Sequence, residues 1–303
     1  MSADAVGIIW LPAGMNTPDI GSKKLIDVTD GDTPTIQMPI RMLSVDTPEV
    51  TARSEERART IDANFLQLAG WIEEGKAPVS ARFAEYILPK LKTGCAGTLQ
   101  YTSGKSASAW FKASVEARLT RPDGSKRSVF VRVSEAPFDN YGRLLAYVAP
   151  QFDKAELASM SRADRATFNL GLVESGWAAS FVLYPNIPGE LDLPLFIERA
   201  WQAYSTNAGQ WSNPMGLPGY EYRMCEKLHE IASKLQQGEK LSATDRHAWR
   251  SRYCADMRSR LLYGQEDYMA IPPPYRLWIW PQNVVEAVSK LNLVPSSTLV
   301  SLT

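Results

Sequence analysis

From Lys24 to Glu49 the sequence reads KLIDVTDGDTPTIQMPIRMLSVDTPE, with apolar Leu25, Ile36, Met38, Ile40, Leu43 and Val45 set around an Asp-Gly pair at Asp30 and Gly31. Short apolar runs bounded by turn residues are strand signals, and Asp-Gly suits the tight turn of a hairpin. Directly afterwards Ser54 precedes Glu55 and Glu56, and Ala58, Ile61, Phe65, Leu68 and Ile72 recur every three or four residues until Gly75. A hydroxyl cap, acids in the first turn and an apolar stripe predict one amphipathic helix there. Strands followed by a helix with one apolar face set the class as α+β.

Farther along, SARFAEYIL reads as a short helical piece stopped before Pro89, and the Pro-Asp-Gly at 122–124 reads as a hairpin turn. SVFVRV and RLLAYV are strands around Tyr141 and Gly142, and helical spacing returns in FNLGLVESG and from Pro194, behind a cap at Asp192, through Tyr204. SNPMGLPG, at 212–219, has two prolines and two glycines without periodicity and is the best linker candidate. The expected organisation is an N-terminal extension over 1–22, a domain over 23–211 with an insertion at about 76–127, the linker, and a mainly helical C-terminal domain over 220–303. That last domain opens with a helix to Gln237. A second helix follows, capped by Ser242 and Asp245 and running to Tyr263; then come a stiff connector, IPPPYRLWIWP, and a short helix over 283–291.

Thirty-three basic residues balance thirty-three acidic ones, so the whole chain has no general attraction to polyanions, and any such binding must be local. Residues 51–135 hold fourteen basic and nine acidic residues, against three and seven in residues 1–50. The only histidines, His229 and His247, have no metal-ligand spacing, which argues against histidine-rich zinc hydrolases and a Ser-His-Asp site. Cys95, Cys225 and Cys254 are odd in number and lack CxxC spacing, as free thiols in a reducing compartment would be. With no basic run before the short N-terminal apolar stretch and no long apolar span, the expectation is a soluble, cytoplasmic protein with no membrane partner.

Oxygen-bearing residues gather at Asp30, Asp32 and the Asp46-Thr47-Pro48-Glu49 turn, and Arg41 and Arg143 supply guanidinium groups. Hard divalent cations take oxygen ligands, and carboxylates with a base and two guanidinium groups are what water-driven phosphodiester cleavage requires. Taken singly, each piece has a plainer explanation: Asp-Gly is usually only a turn, and a lone strand arginine is usually a solvated face.

In that order, DGDT at 30–33, IRMLSVDTPE at 40–49 and DNYGRLLAYV at 139–148 resemble the signature stretches of the staphylococcal nuclease (thermonuclease) family. FNLGLVESGWA resembles the family's second helix, Tyr184, Pro185 and Asn186 its following turn, and ERAWQAYSTNAGQW its last helix; together they cover about 23–75 and 128–211. The resemblance implies a five-stranded OB-fold β-barrel with packed helices and a nucleic-acid groove. It implies Asp32 and Asp46 as calcium-binding carboxylates, Thr47 as a carbonyl ligand and Asp30 behind them; magnesium or manganese are compatible with similar ligands. Glu49 would be the general base, Arg41 and Arg143 the phosphate clamp, and Tyr141 and Tyr184 substrate contacts. The implied activity is metal-dependent hydrolysis of DNA, and of RNA in the broader reading, leaving 3′-phosphate ends.

Two departures stand out. The family's tyrosine pair before the Pro-Asn turn is here Phe181, Val182, Leu183, Tyr184, so base stacking falls to Tyr184 or to Phe181; the basic loop after the catalytic turn is VTARSEERART, with two glutamates among its arginines. A non-catalytic OB-type module binding nucleic acid or protein is the alternative expectation. The insertion and the C-terminal residues, with Arg246, Arg250, Arg252, Arg258 and Arg260, are candidate surfaces for a protein partner or self-association.

Overall fold

Ser54 does what its position predicts: its side chain accepts a hydrogen bond from Arg57 N at 3.2 Å and opens α1, Glu55–Glu73, whose apolar stripe buries Ala58, Phe65, Leu68 and Ile72. The computed structural model describes residues 20–300. Before α1 lie four short strands, β1 (Lys24–Val28), β2 (Pro34–Gln37), β3 (Ile40–Met42) and β4 (Ser44–Asp46). After it come α2 (Ala81–Leu91), α3 (Ala96–Leu119), β5 (Val129–Phe138), β6 (Leu144–Pro150), α4 (Lys154–Ser159), α5 (Phe168–Glu174), β7 (Ala179–Leu183) and α6 (Asp192–Ser205). The remainder is α7 (Gly219–Gln236), α8 (Ala243–Arg246), β8 (Tyr253–Asp256), β9 (Leu261–Tyr263), β10 (Arg276–Ile279), α9 (Val284–Leu291), β11 (Val294–Pro295) and α10 (Ser297–Val300). The chain is mixed α+β, and no helix among the described residues is long and apolar enough to cross a membrane.

Two compact units are present. Of the described residues, 20–41 with Val133–Ala146 make one, and Met42–Arg132 with 147–300 make the other. In the first, β1 and β2 form the expected antiparallel hairpin around Asp30 and Gly31, with Leu25 opposite Ile36 and Val28 opposite Pro34. Of the extension expected over 1–22, residues 1–19 lie outside the described residues.

The second unit is organised by a six-stranded sheet in the order β11-β9-β8-β10-β7-β4. Here the expected domain boundary fails. β10 runs parallel to β7, with Leu277 opposite Val182, so residues after 219 extend the sheet begun before 212. The same core holds Phe65 and Leu68 of α1, Phe83 and Ile87 of α2, Leu228 of α7, and Trp249, Tyr268 and Trp278. Residues 212–219 therefore connect parts of one core. Among the described residues the strands lie in sheets of two, three and six, with no closed sheet shown, and β4 and β7 continue outward into β10, β8, β9 and β11.

The C-terminal segment is also less helical than its pattern suggests. Ser242 caps α8 by accepting from Asp245 N at 3.1 Å, but that helix ends at Arg246, and Cys254–Asp256 forms a strand instead. RLWI in the expected connector is β10, buried along its whole length as a central strand. Short apolar runs carry no periodicity that separates such a strand from a buried helix or a connector. Likewise α2 passes through Pro89, and the following stretch forms the 24-residue α3. Burial of Ile87 and Leu91 offsets the backbone bond that Pro89 cannot donate. Asp62 of α1 caps α3 from outside, accepting from Thr98 N at 3.0 Å and from the Thr98 hydroxyl.

One ionic cluster fixes α2, α7 and β10 together. Glu221, fully buried on α7, accepts from Lys90 Nζ at 2.8 Å and from the Tyr86 hydroxyl at 2.7 Å, both on α2. Arg276 of β10 faces the same carboxylate at 3.4 Å, and donates to the Tyr220 hydroxyl at 2.6 Å and to Ile271 O at 2.8 Å. Burial works to raise the Glu221 carboxyl, and the charges of Lys90 and Arg276 outweigh it, holding it below the ordinary carboxylate range. A folded-state value below the unfolded one gives stability that is present above about pH 4.3 and lost as pH falls through the folded value. Glu221→Ala, which leaves Lys90 and Arg276 without their shared acid, is expected to cost about 3–5 kcal/mol in urea unfolding. Glu221→Gln should flatten the decline in stability below about pH 4; an unchanged acid limb would remove Glu221 from that role.

Candidate active site

The Asp46-Glu49 turn leaves the sheet at the end of β4, where Val45 pairs with Ser180 and Asp46 with Ala179 of β7. This pairing carries Asp46 inward until its carboxylate is fully buried, while Thr47 and Glu49 stay half-buried. A buried carboxylate needs a compensating partner. Arg223 of α7 provides it: Nη2 donates to Asp46 Oδ1 at 2.8 Å, and Nη1 donates to Glu49 Oε1. One guanidinium thus bridges the implied metal ligand and the implied general base. Burial works against the charge on Arg223, and the carboxylates of Asp46 and Glu49 outweigh it and raise its basicity.

Two helices press on the turn. An added Cβ at Gly219, the first residue of α7, would lie 2.6 Å from Thr47 O and 2.7 Å from Asp46 Oδ2, so only glycine allows this approach. On the other helix, a Cβ at Gly104 of α3 would lie 2.9 Å from both Glu49 O and Pro48 O. In the amide orientation that satisfies both neighbours, the Gln100 oxygen accepts from Glu49 N at 2.9 Å and its nitrogen donates to Leu217 O at 2.8 Å. The residues expected as an insertion therefore brace the turn from one helix, and the C-terminal segment braces it from another. Glu226, next along α7, has a carboxyl raised by burial; the Tyr222 hydroxyl lowers it, and the charge on Glu49 raises it further.

In the first unit, Asp30, Asp32 and Thr33 share the β1–β2 turn. Thr29 N donates to Thr33 O at 3.1 Å and Thr33 Oγ1 to Asp32 Oδ1 at 3.2 Å, and the hydroxyl of Thr33 leads the groups that hold the exposed Asp30 carboxyl low. Arg41 sits half-buried in β3. Arg143 and Tyr141 share the hairpin between β5 and β6. There Asp139 Oδ1 accepts from the backbone N–H groups of Tyr141 at 2.9 Å and Arg143 at 3.0 Å, and its Oδ2 takes Arg143 Nε and Nη2, both at 2.7 Å. Burial raises the Asp139 carboxyl, and these donors outweigh it and leave it low. The Tyr141 ring is 81% exposed and lies 5.3 Å from the Arg143 guanidinium.

Tyr184 is not placed as a stacking platform. It is 4% exposed, in the cluster that also holds Val182, Phe196, Leu277 and Ile279, and its N–H donates to Trp278 O at 2.9 Å. Phe181, the substitute platform, is buried as well and stacks on Tyr220 with centroids 5.7 Å apart. Arg223, Gln100, Gly104 and Gly219 carry no sequence signal of their part in the turn; Arg223 meets Asp46 across 177 residues.

Where the resemblance implies a divalent cation, the Asp46–Glu49 turn is engaged by Arg223. Among the described residues no three His, Cys, Asp or Glu side chains gather to hold a metal ion. The Asp46 carboxylate is taken by a guanidinium fork, and the Thr47 carbonyl is covered by the start of α7. Compared with protein-family models and with curated proteins, the chain matches none.

The close approach at Gly219 gives a direct test. Gly219→Ala, which drives a methyl against a backbone carbonyl and a buried carboxylate, should cost about 1–3 kcal/mol by denaturant unfolding. Equal stability of the variant and the wild type would mean that α7 does not press on the turn.

Proposed function

We propose that the chain is a nucleic-acid phosphodiesterase of the thermonuclease type, acting on DNA, and in the broader reading on RNA, in the cytoplasm. The observation that carries this is the ordered series DGDT, IRMLSVDTPE and DNYGRLLAYV, whose second member puts Asp46 and Glu49 on one braced turn. A five-stranded OB-type barrel is part of the same proposal.

In this mechanism Glu49 accepts a proton from an attacking water as the new P–O bond forms. The P–O5′ bond breaks, leaving a 3′-phosphate, and the O5′ oxygen collects a proton from solvent. Arg41 and Arg143 bind the equatorial oxygens, where charge accumulates; planar forks match two such oxygens better than an ammonium does. Tyr141, exposed beside Arg143, is available to a neighbouring phosphate. Glu49 must leave Arg223, and Arg143 must at least share itself with Asp139, before either takes its role.

Those two engagements are also the specific support for the second reading, a non-catalytic module that binds nucleic acid or protein. Cleavage of labelled single- and double-stranded DNA and RNA by the full chain, with calcium, magnesium or chelator, separates the two. Wild-type cleavage that falls by at least about 10²-fold in both Glu49→Gln and Arg143→Ala is expected. Binding without cleavage in every condition, by wild type and variants alike, would leave the binding module.

A further inference from the structure

We propose that Arg223 is a built-in counter-cation of the Asp46–Glu49 turn, and that a divalent cation reaches these carboxylates only by displacing it. This rests on the nuclease reading only in taking Asp46 as a metal ligand.

Three observations on one face of the turn carry the proposal. The Arg223 fork bonds both acids at once, to Asp46 Oδ1 through Nη2 at 2.8 Å and to Glu49 Oε1 through Nη1. The fork stands on the same helix turn whose first residue, Gly219, lies against Thr47 O and the second Asp46 oxygen. Two of the three groups that the family resemblance would give to a metal, Asp46 and the Thr47 carbonyl, are therefore covered by α7, one by charge and one by backbone. Finally, α7 cannot drift away at little cost, since Glu221, two residues before Arg223, is buried against Lys90 and Arg276. The cation is held in place by the core.

A guanidinium satisfies two carboxylates in a plane, with directed N–H bonds. Calcium needs six to eight oxygens at 2.3–2.6 Å around one centre. The two cannot share Asp46 Oδ1 and Glu49 Oε1, so the competition is exclusive. Glu226, whose charge acts on Glu49, adds negative charge and favours any cation equally, so it does not choose between them. Arg223 thus fills the place of a metal in the resting chain, and loss of its fork opens the site to one.

The test is a calcium titration of the full chain by isothermal calorimetry at fixed ionic strength, comparing wild type with Arg223→Gln, Arg223→Lys and the double variant Arg223→Gln, Asp46→Asn. Calcium should bind Arg223→Gln at least about tenfold more tightly than wild type, in the weak range of about 10⁻⁴–10⁻³ M or below. Arg223→Lys should fall between them, because an ammonium keeps the charge without the fork. The double variant should lose the gain. If Arg223→Gln does not fold, the Arg223→Lys comparison with wild type decides alone. Calcium bound as tightly by wild type as by the Arg223 variants, or a gain that survives Asp46→Asn, overturns the proposal. Cleavage is not the readout, so either result leaves the nuclease reading to its own assay.

Discussion

Glu221 is a fully buried carboxylate, and α2, α7 and β10 of the second unit converge so that it is not left unpaired. Lys90 comes from α2, Arg276 from the central strand β10, and Tyr86 and Tyr220 complete the hydrogen bonding. Removing one member of such a cluster leaves a buried charge uncompensated, which is far costlier than the cluster's net contribution to folding. The orientation of α7 is fixed by that requirement. Once it is fixed, Gly219 and Arg223 fall against the Asp46–Glu49 turn.

A consequence is that the carboxylate turn is assembled from three distant stretches of sequence. β4 delivers Asp46 by pairing with β7, α3 holds Glu49 N through Gln100, and α7 supplies the cation. The tract at 76–127 and the residues after 219 are therefore structural supports of the candidate site, whatever else they contact.

Local signals were legible where a short stretch decides its own conformation. The Ser54 cap, the Asp-Gly hairpin, α5 and the span of α7 all follow from capping residues, turn residues and 3.6-residue spacing. What escaped was decided by partners far away. Tyr253–Asp256 and Arg276–Ile279 are strands because they pair with one another, the first also with β9 and the second also with β7, and nothing in three or four apolar residues announces a partner. The site divides the same way. Asp46 and Glu49 stand in a motif and were legible, as was the Tyr141–Arg143 turn. Arg223 is the single arginine of an amphipathic helix and stands in no motif, and Tyr184 joins a core cluster that holds Leu277 and Ile279 of the distant β10.

The most direct measurement is a double-mutant cycle on Asp46→Asn and Arg223→Gln, read by urea unfolding of the full chain. If the guanidinium is the counter-cation of the turn, the two substitutions are coupled by at least about 1 kcal/mol, with partial exposure of Arg223 keeping the figure below that of a fully buried pair. Additive effects, within about 0.5 kcal/mol, would contradict the account and detach α7 from the carboxylates it is held to compensate.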